Sequence, residues 1–532
     1  MSLSPRTPLA KVSMPSTTTT PSVAALPGAT HTATRHQIRG SSLLLVGRLL
    51  SMGVNFAVQV LTVNYLTKTD YGAFAYALSI VALGETIAIF GLDRAITRFV
   101  PIYQEQRDYG RLFGTILLVV SAVLSLGLAM VLVVYGLQGS LAQVLIDDRQ
   151  AIALLLIMIA LAPVQALDTL LIGMFAVFAS PRSIFFRKYV LAPGLKLAVV
   201  LLLILGHSDV FFLAGGYLAS GALGVAIYTV VLFRVLREQG LFRHFELASI
   251  KIPARDVLTF TIPLLTSDLV YTVMNTIDTM LLGHFHDTVG VAAFRAVQPA
   301  AKLNQLVLSS FALLFTPLAA RLFARNEREG INNLYWQTAI WIAVISFPIF
   351  AVSFSLAQPL TVMLYGQRYA DSAAILALLS FGYYFNAALG QNGLTLKVFG
   401  RLRYVVVVNV LAVVINLVVN LLLIPRYGAL GAAIGTSSTL VAHNILKQAG
   451  LRFGTGISLF EWRFLKVYLV IALSTLGLLL LQAVASPPIY VGFALAALAS
   501  LLVVGLNRRS LNVRQTFPEV LRFPLARRLF GE

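Results

Sequence analysis

The chain has 532 residues, of which 58% are hydrophobic and only 11% charged, with a mean hydropathy of +0.85. Soluble domains carry roughly 25% charged residues, so the composition excludes a soluble protein and places most of the chain in lipid. The absence of cysteine excludes disulfides, thiolate metal sites and cysteine nucleophiles, and the net charge of +19 takes its meaning from where the charges fall.

Residues 1–40 are rich in Ser, Thr and Pro (STTTTPS at 16–22) and hold no apolar run. They read as a disordered cytosolic tail without a cleavable signal peptide. Apolar stretches long enough to cross a bilayer then follow at about 41–66, 71–92, 110–136, 151–178, 188–206, 210–234, 256–282, 290–316, 331–356, 372–396, 404–424, 428–446, 464–485 and 488–506. The expected fold is an all-α polytopic membrane protein of about fourteen spans, in two pseudo-symmetric bundles around a central cavity. The bundles are 41–234 and 256–446, joined by a basic cytosolic linker at 235–255. Two additional membrane helices lie within 447–506, and 507–532 is a basic cytosolic tail.

Lys and Arg orient these spans. With the N-terminus in the cytosol, outer connections hold Lys68, Arg149, Arg368 and Arg426, one each. Inner connections hold several each, such as Arg94, Arg98, Arg107 and Arg111, or Arg234, Arg237, Arg243, Lys251 and Arg255. This is the positive-inside bias. It explains the excess charge without nucleic acid and puts both termini in the cytosol.

An internal repeat relates Arg48–Gly110 to Asp268–Gly330, with Asn55 matching Asn275. Within 256–316 two polar stripes stand out. Asp268, Tyr271, Asn275 and Asp278 recur at steps of three, four and three; Arg295, Gln298, Lys302, Gln305 and Ser309 recur at three, four, three and four. Each set lies on one helix face. Ionisable groups in a bilayer are costly unless paired or facing water, so both stripes should face a wet interior. Two such halves with a cavity between them are the layout of an alternating-access transporter.

The run LTVNYLTKTDYGAFAYALSIVALGETIAIFGLDRAITRFVPIYQEQRDYGRL combines a span, a loop ending in Tyr-Gly, a second span ending in Gly-Leu and an Arg-containing segment. VVNVLAVVINLVVNLLLIPRYGALGAAIGTSSTL adds an Asn-rich span, a Pro-x-Tyr-Gly turn and a Gly-Ala-x-Gly start. Over about 40–505 the chain resembles polysaccharide-biosynthesis (Wzx-like) oligosaccharide flippases of the multidrug/oligosaccharidyl-lipid/polysaccharide exporter superfamily. The resemblance implies a flippase, not an enzyme, that moves polyprenyl-diphosphate-linked oligosaccharide across the cytoplasmic membrane. Its partners would be that lipid-linked oligosaccharide, membrane lipids, and a polysaccharide polymerase with export proteins. A multidrug or peptidoglycan-precursor exporter of the same superfamily is the alternative. A glycan polymerase or ligase is a weaker rival, because the loops are too short for extracytoplasmic catalysis.

Eight charges fall inside spans, and depth along the helices pairs them: Arg48 with Glu85, Lys196 with Asp168, Asp278 with Arg295, and Asp268 with Lys302. They read either as structural ion pairs or as a cavity whose basic members bind the cargo diphosphate. On the second reading the cavity residues are Arg48, Asn55, Gln59, Arg295, Lys302, Asp268, Asn275 and Asp278. Lys196, alone among Leu and Val, reads as structural. Asn409, Asn416 and Asn420 share a face suited to interhelical hydrogen bonds, and Tyr383, Tyr384, Asn386, Gln391 and Asn392 suit either carbohydrate or packing. Asp268 or Asp278 would carry a coupling cation. His284 and His286 alone do not make a metal site; neither metal nor cofactor is expected.

Overall fold

Long apolar stretches dictate long helices, and the computed structural model consists of them. It describes residues 27–511 apart from 140–145, 147, 179 and 180. Among the described residues, thirteen helices are long and apolar enough to span a membrane. In chain order they are α1 (Pro27–Tyr65, spanning from Val46), α2 (Lys68–Glu105), α3 (Tyr109–Gly136), α4 (Arg149–Phe178), α5 (Arg182–Leu205), α6 (Val210–Glu238), α7 (Ala254–Phe285), α8 (Thr288–Ala324), α9 (Arg328–Ser355) and α10 (Gln367–Val398). Then come Leu402–Thr455, Trp462–Ala485 and Ile489–Leu506.

The 54-residue segment Leu402–Thr455 is a hairpin of two spans. Tyr404 donates to the Leu446 carbonyl at 2.6 Å, and His443 meets Asn409 at 2.9 Å. In one straight helix Tyr404 and Leu446 would stand about 60 Å apart. The chain reverses at Gly428, whose φ of +54° favours a residue without Cβ. Its halves are α11 (402–427) and α12 (429–455), which makes Trp462–Ala485 α13 and Ile489–Leu506 α14. Fourteen spans result among the described residues.

Several helices outrun their apolar stretches. The backbone is helical from Pro27, so 27–40 continues α1 where a disordered tail was expected; residues 1–26 and 512–532 lie outside the described residues. α2 bends at Phe90 and Gly91, both at positive φ, and runs on through the amphipathic RAITRFVPIYQE segment. Once nucleated, a helix extends at little cost through polar residues, and Pro101 does not interrupt the α2 extension. Hydropathy marks the lipid-facing length, not the helix end.

The repeat is visible in element boundaries. Helices end at Tyr65 and Phe285 and restart at Lys68 and Thr288, each pair 220 residues apart. Even the caps correspond: Thr67 accepts from the Asp70 N–H at 3.1 Å, and Asp287 from the Gly290 N–H at 2.7 Å. The equivalent helices α2 and α8 pack against each other. A Cβ on Gly72 would lie 1.7 Å from the Thr288 carbonyl oxygen, so only glycine admits this approach. One apolar cluster, including Val58, Tyr76, Leu282, Phe294, Tyr365 and Ile424, joins the two halves near these turns. α13 and α14 pack on the second half, in a cluster with α9.

Candidate functional site: the central cavity

Two polar cavities lie between the halves. The first, about 510 Å³, is lined by α1, α2, α5, α6 and α8, including Asn55, Gln59, Tyr71, Lys196, Arg295 and Lys302. The second, about 630 Å³, is lined by α1, α7, α8, α10, α11 and α12, including Arg48, Asn275, Lys302, Asn386, His443 and Lys447. Met52 and Lys302 line both, so these are two lobes of one space. Among the described residues five cations line these two lobes and no carboxylate does, while a side pocket of about 240 Å³ that shares Lys196 and Tyr217 with the first lobe is lined by Glu85, Asp168 and Arg187.

Local backbone chemistry places them. Pro299 has no N–H to donate to the carbonyl of Arg295, four residues earlier. Gln59 supplies a donor instead, reaching the Arg295 carbonyl at 3.3 Å and that of Ala296 at 2.8 Å. This ties α1 to α8 and fixes the turn that carries Arg295, whose guanidinium donates to Gln298 Oε1 at 2.8 Å. Lys302, two turns on, donates to Asn275 Oδ1 at 3.2 Å. Asn55 donates to the Ser51 carbonyl at 2.7 Å and still faces the first lobe. Arg48 is exposed into the second.

The acids are not paired as depth alone suggests. Asp268 lies on neither cavity wall and pairs with Arg94 at 2.8 Å, so it does not meet Lys302. Asp168 pairs with Arg187, which is buried at 2% exposure beneath α6, bonds the Gly224 carbonyl at 3.3 Å and sits 4.5 Å from the Tyr228 ring. Lys196 instead faces Glu85, which accepts from Thr169 at 3.2 Å, leaving Arg48 without its expected partner. Depth supplies one coordinate of a side chain; rotation about the helix axis and side-chain reach supply the others, and they decide the partner. Arg94 and Arg187 lie on helices that extend past their apolar stretches, so hydropathy alone does not place them beside these acids.

Asp278 forms no salt bridge to Arg295. It is 1% exposed and held by Asn420, by Thr436 at 2.7 Å and by Asn416. Lys302 and Arg295 are its electrostatic counterparts. The Asn face of α11 thus serves this carboxylate through Asn416 and Asn420, and the cavity through Asn409. Tyr383, Asn386 and Gln391 line the second lobe. Tyr384 turns away to stack on Phe350 and bond the Ala343 carbonyl at 2.9 Å, and Asn392 bonds Asn444 Oδ1 at 3.0 Å. His286 is engaged by the Ile424 carbonyl at 2.7 Å.

One end of the space is sealed by bonds between the halves. Lys68 pairs with Asp371 at 2.9 Å, Arg368 donates to the Val63 and Asn64 carbonyls at 2.5 and 2.7 Å, and Asn64 donates to Leu364 at 2.7 Å. Thr288 bonds Asp148 at 3.2 Å. From this closed end Arg295 lies about 10 Å along α8, Lys302 about 20 Å, and Lys447 about 28 Å along α12, at 1.5 Å per residue.

The family model for polysaccharide biosynthesis proteins matches residues 38–323, and the MatE model matches 263–422. An uncharacterized membrane protein of Methanocaldococcus jannaschii is 21% identical over 412 residues, covering 75% of this chain and 80% of that one. The capsular polysaccharide biosynthesis protein CapF of Staphylococcus aureus is 23% identical over 180 residues, 34% of this chain and 46% of that one. Among solved structures, the fold is shared with the lipid II flippase MurJ in an inward closed conformation, at TM-score 0.67 and 15% identity over 89% of this chain and 99% of that one. It is shared too with a multidrug resistance MATE transporter of the MOP superfamily in an inward-facing conformation, at TM-score 0.60 and 15% identity over 76% and 94%. With more than half its length matched by one family model, this multi-pass membrane chain belongs to the polysaccharide biosynthesis protein family.

Proposed function

We propose that the protein is a flippase that carries a polyprenyl-diphosphate-linked oligosaccharide across the cytoplasmic membrane by alternating access. One observation supports this above the others: two lobes between pseudo-symmetric halves, lined among the described residues by five cations and no carboxylate, with Glu85 and Asp168 set aside in an adjoining pocket beside Lys196 and Arg187. An anionic head moving through hydrocarbon needs its lost hydration replaced, and arginine and lysine donors supply that. A cation-exporting drug pump would place acids on the same walls. The bonded end is the outer gate, the bundles 41–234 and 256–446 are the rocking units, and both termini are cytosolic. The inward-facing and inward closed states of the two fold neighbours favour the same orientation. Arg48 meets the diphosphate at the inner mouth, and Lys302 and Arg295 hold it deeper, with Asn55, Gln59 and Asn275 positioning the pair.

Asp278 is the coupling group of this reading. Its carboxylate, ringed by Asn416, Asn420 and Thr436, offers hard oxygen donors to a monovalent cation or a proton. Asp268, tied to Arg94, has no such role.

The test is glycan export in cells whose own copy is replaced by Arg295→Gln or Lys302→Gln. Each should stop export of the lipid-linked glycan while the protein remains in the membrane at normal abundance. Export at the parental rate by both variants would remove the diphosphate reading.

A further inference from the structure

α6 ends in two arginines on its lipid-facing side. Its 29 residues extend about 43 Å at 1.5 Å per residue, the thickness of a bilayer with its headgroups, about 40–45 Å. It starts at the sealed end, where Tyr65 donates to the Ser208 carbonyl at 2.9 Å, so its last turns lie at the opposite surface. Arg234 and Arg237 stand there, in the layer that holds the phosphates of lipid headgroups.

With Thr229, Val230 and Phe233 the two arginines line a surface cleft of about 360 Å³. Val230 and Phe233 are 55% and 59% exposed, opposite Tyr228, Leu232 and Leu236, which are buried against the bundle. In a membrane the exposed face meets acyl chains. The cleft is held in shape by its neighbours. Gln239 donates to the Phe178 carbonyl of α4 at 2.5 Å, and Phe242, in the turn after α6, packs on Phe233 with ring centres 4.7 Å apart. Thr229 donates its hydroxyl to the Val225 carbonyl at 2.8 Å, so the donors that face the cleft are the guanidinium groups.

Arginines elsewhere are engaged. Arg94, Arg111 and Arg463 pair with carboxylates, and Arg98 lies 4.3 Å from the Phe260 ring. Among the described residues no acceptor, carboxylate or ring engages Arg234 or Arg237, and the adjacent Glu238 pairs with neither. Being three residues apart, they are neighbours on the helix surface, about 4.5 Å apart along its axis, and their donor forks can share one phosphate. A soluble phosphate would leave Val230 and Phe233 uncovered, whereas a phospholipid covers both parts of the cleft. Two cations without a counter-charge repel the ammonium of a zwitterionic headgroup and favour an anionic one.

We propose that this cleft binds an anionic phospholipid of the inner leaflet, with its phosphate on Arg234 and Arg237 and an acyl chain on Val230 and Phe233. None of its residues lines either lobe of the central cavity, so the site lies off the cargo path. The membrane orientation decides which leaflet supplies the lipid; the flippase reading does not enter.

The test places a fluorophore beside the cleft. Ala226 is exposed on the same face, one turn deeper, and the chain has no native cysteine, so Ala226→Cys takes a thiol-reactive label at one position. The full-length protein is reconstituted in phosphatidylcholine vesicles in which a minor share of the lipid, either phosphatidylglycerol or phosphatidylcholine, carries brominated chains that quench the label. Each variant is referred to its own quenching by brominated phosphatidylcholine. Phosphatidylglycerol should be enriched about tenfold at the label, the order that two basic groups at an anionic headgroup supply. Arg234→Gln with Arg237→Gln should remove the enrichment, and Arg234→Lys with Arg237→Lys should retain most of it. Arg325→Gln with Arg328→Gln removes the same charge from another exposed turn and should leave the enrichment intact. No enrichment without these substitutions overturns the site, as does enrichment that survives the double glutamine exchange. Equal loss in the Arg325 and Arg328 pair would reduce the effect to general surface charge, and loss on adding soluble glycerol phosphate would give the cleft to a free phosphate; either result overturns the lipid site. No arm involves a glycan, so this proposal and the flippase reading fail separately.

Discussion

Asp268 on α7 is bonded to Arg94 on the extension of α2 at 2.8 Å, joining the two halves of the molecule outside the cavity. Both groups are partly exposed, 44% for the Arg94 side chain and 28% for that of Asp268, so solvent screens the pair and its worth is at the lower end for ion pairs, about 1 kcal/mol or less. Replacing Asp268 by Asn should therefore lower protein abundance slightly and leave export per molecule within about twofold. The double exchange Arg94→Asp with Asp268→Arg should restore abundance. Complete loss of export in Asp268→Asn at normal abundance would place this acid in the transport path after all.

Arg48 behaves differently because it has no carboxylate partner among the described residues and faces the cavity. Arg48→Ala should abolish glycan export while the protein still inserts. Arg48→Lys should rescue it only partly, since an ammonium keeps the charge but loses the planar donor fork. Export and membrane abundance, measured together, check this.

Asp278→Asn removes a carboxyl group that three polar neighbours hold in a buried wall. The substitution is nearly isosteric, so abundance should persist while export falls at least tenfold, about 1.4 kcal/mol in barrier terms. The dependence of export on the sodium or proton gradient should disappear with it. Gradient dependence unchanged in Asp278→Asn would move coupling elsewhere.

The helix count was legible because each span carries its own apolar run, and the Gly428 turn shows in the sequence as Pro425 followed by Gly428. The Arg295 and Lys302 stripe was legible because steps of three and four name a face without reference to any other helix. Partners were not. Arg48 and Glu85, Asp168 and Lys196 share depths yet point to different neighbours, and rotation between helices is a tertiary property. Lys447 was missed for a simpler reason: α12 was expected to end at 446, whereas it runs to Thr455. The signal was there, in Thr436, Thr439, His443 and Lys447 at steps of three, four and four, a polar face that crosses the apparent boundary.

The sealed end makes a topological prediction. Reporters fused at 286 and 365 should report outside, as should one at 145, and those at 105, 245 and 325 inside. Because the chain has no native cysteine, Lys68→Cys with Asp371→Cys can be bridged by a bifunctional methanethiosulfonate, which joins each thiol through a reducible disulfide. Bridging should stop export and its reduction should restore it, since the halves must part there. Full export by the bridged protein would show that this end does not open.

The most direct measurement is flipping itself. The full-length protein is reconstituted in liposomes with a fluorescent polyprenyl-diphosphate oligosaccharide, and the fraction of label reaching the opposite leaflet is followed with a membrane-impermeant quencher. Wild-type protein should move the label, Arg295→Gln and Lys302→Gln should not, and excess soluble pyrophosphate should slow the wild type. Label movement equal to that of protein-free liposomes, or movement that survives both substitutions, would contradict the account.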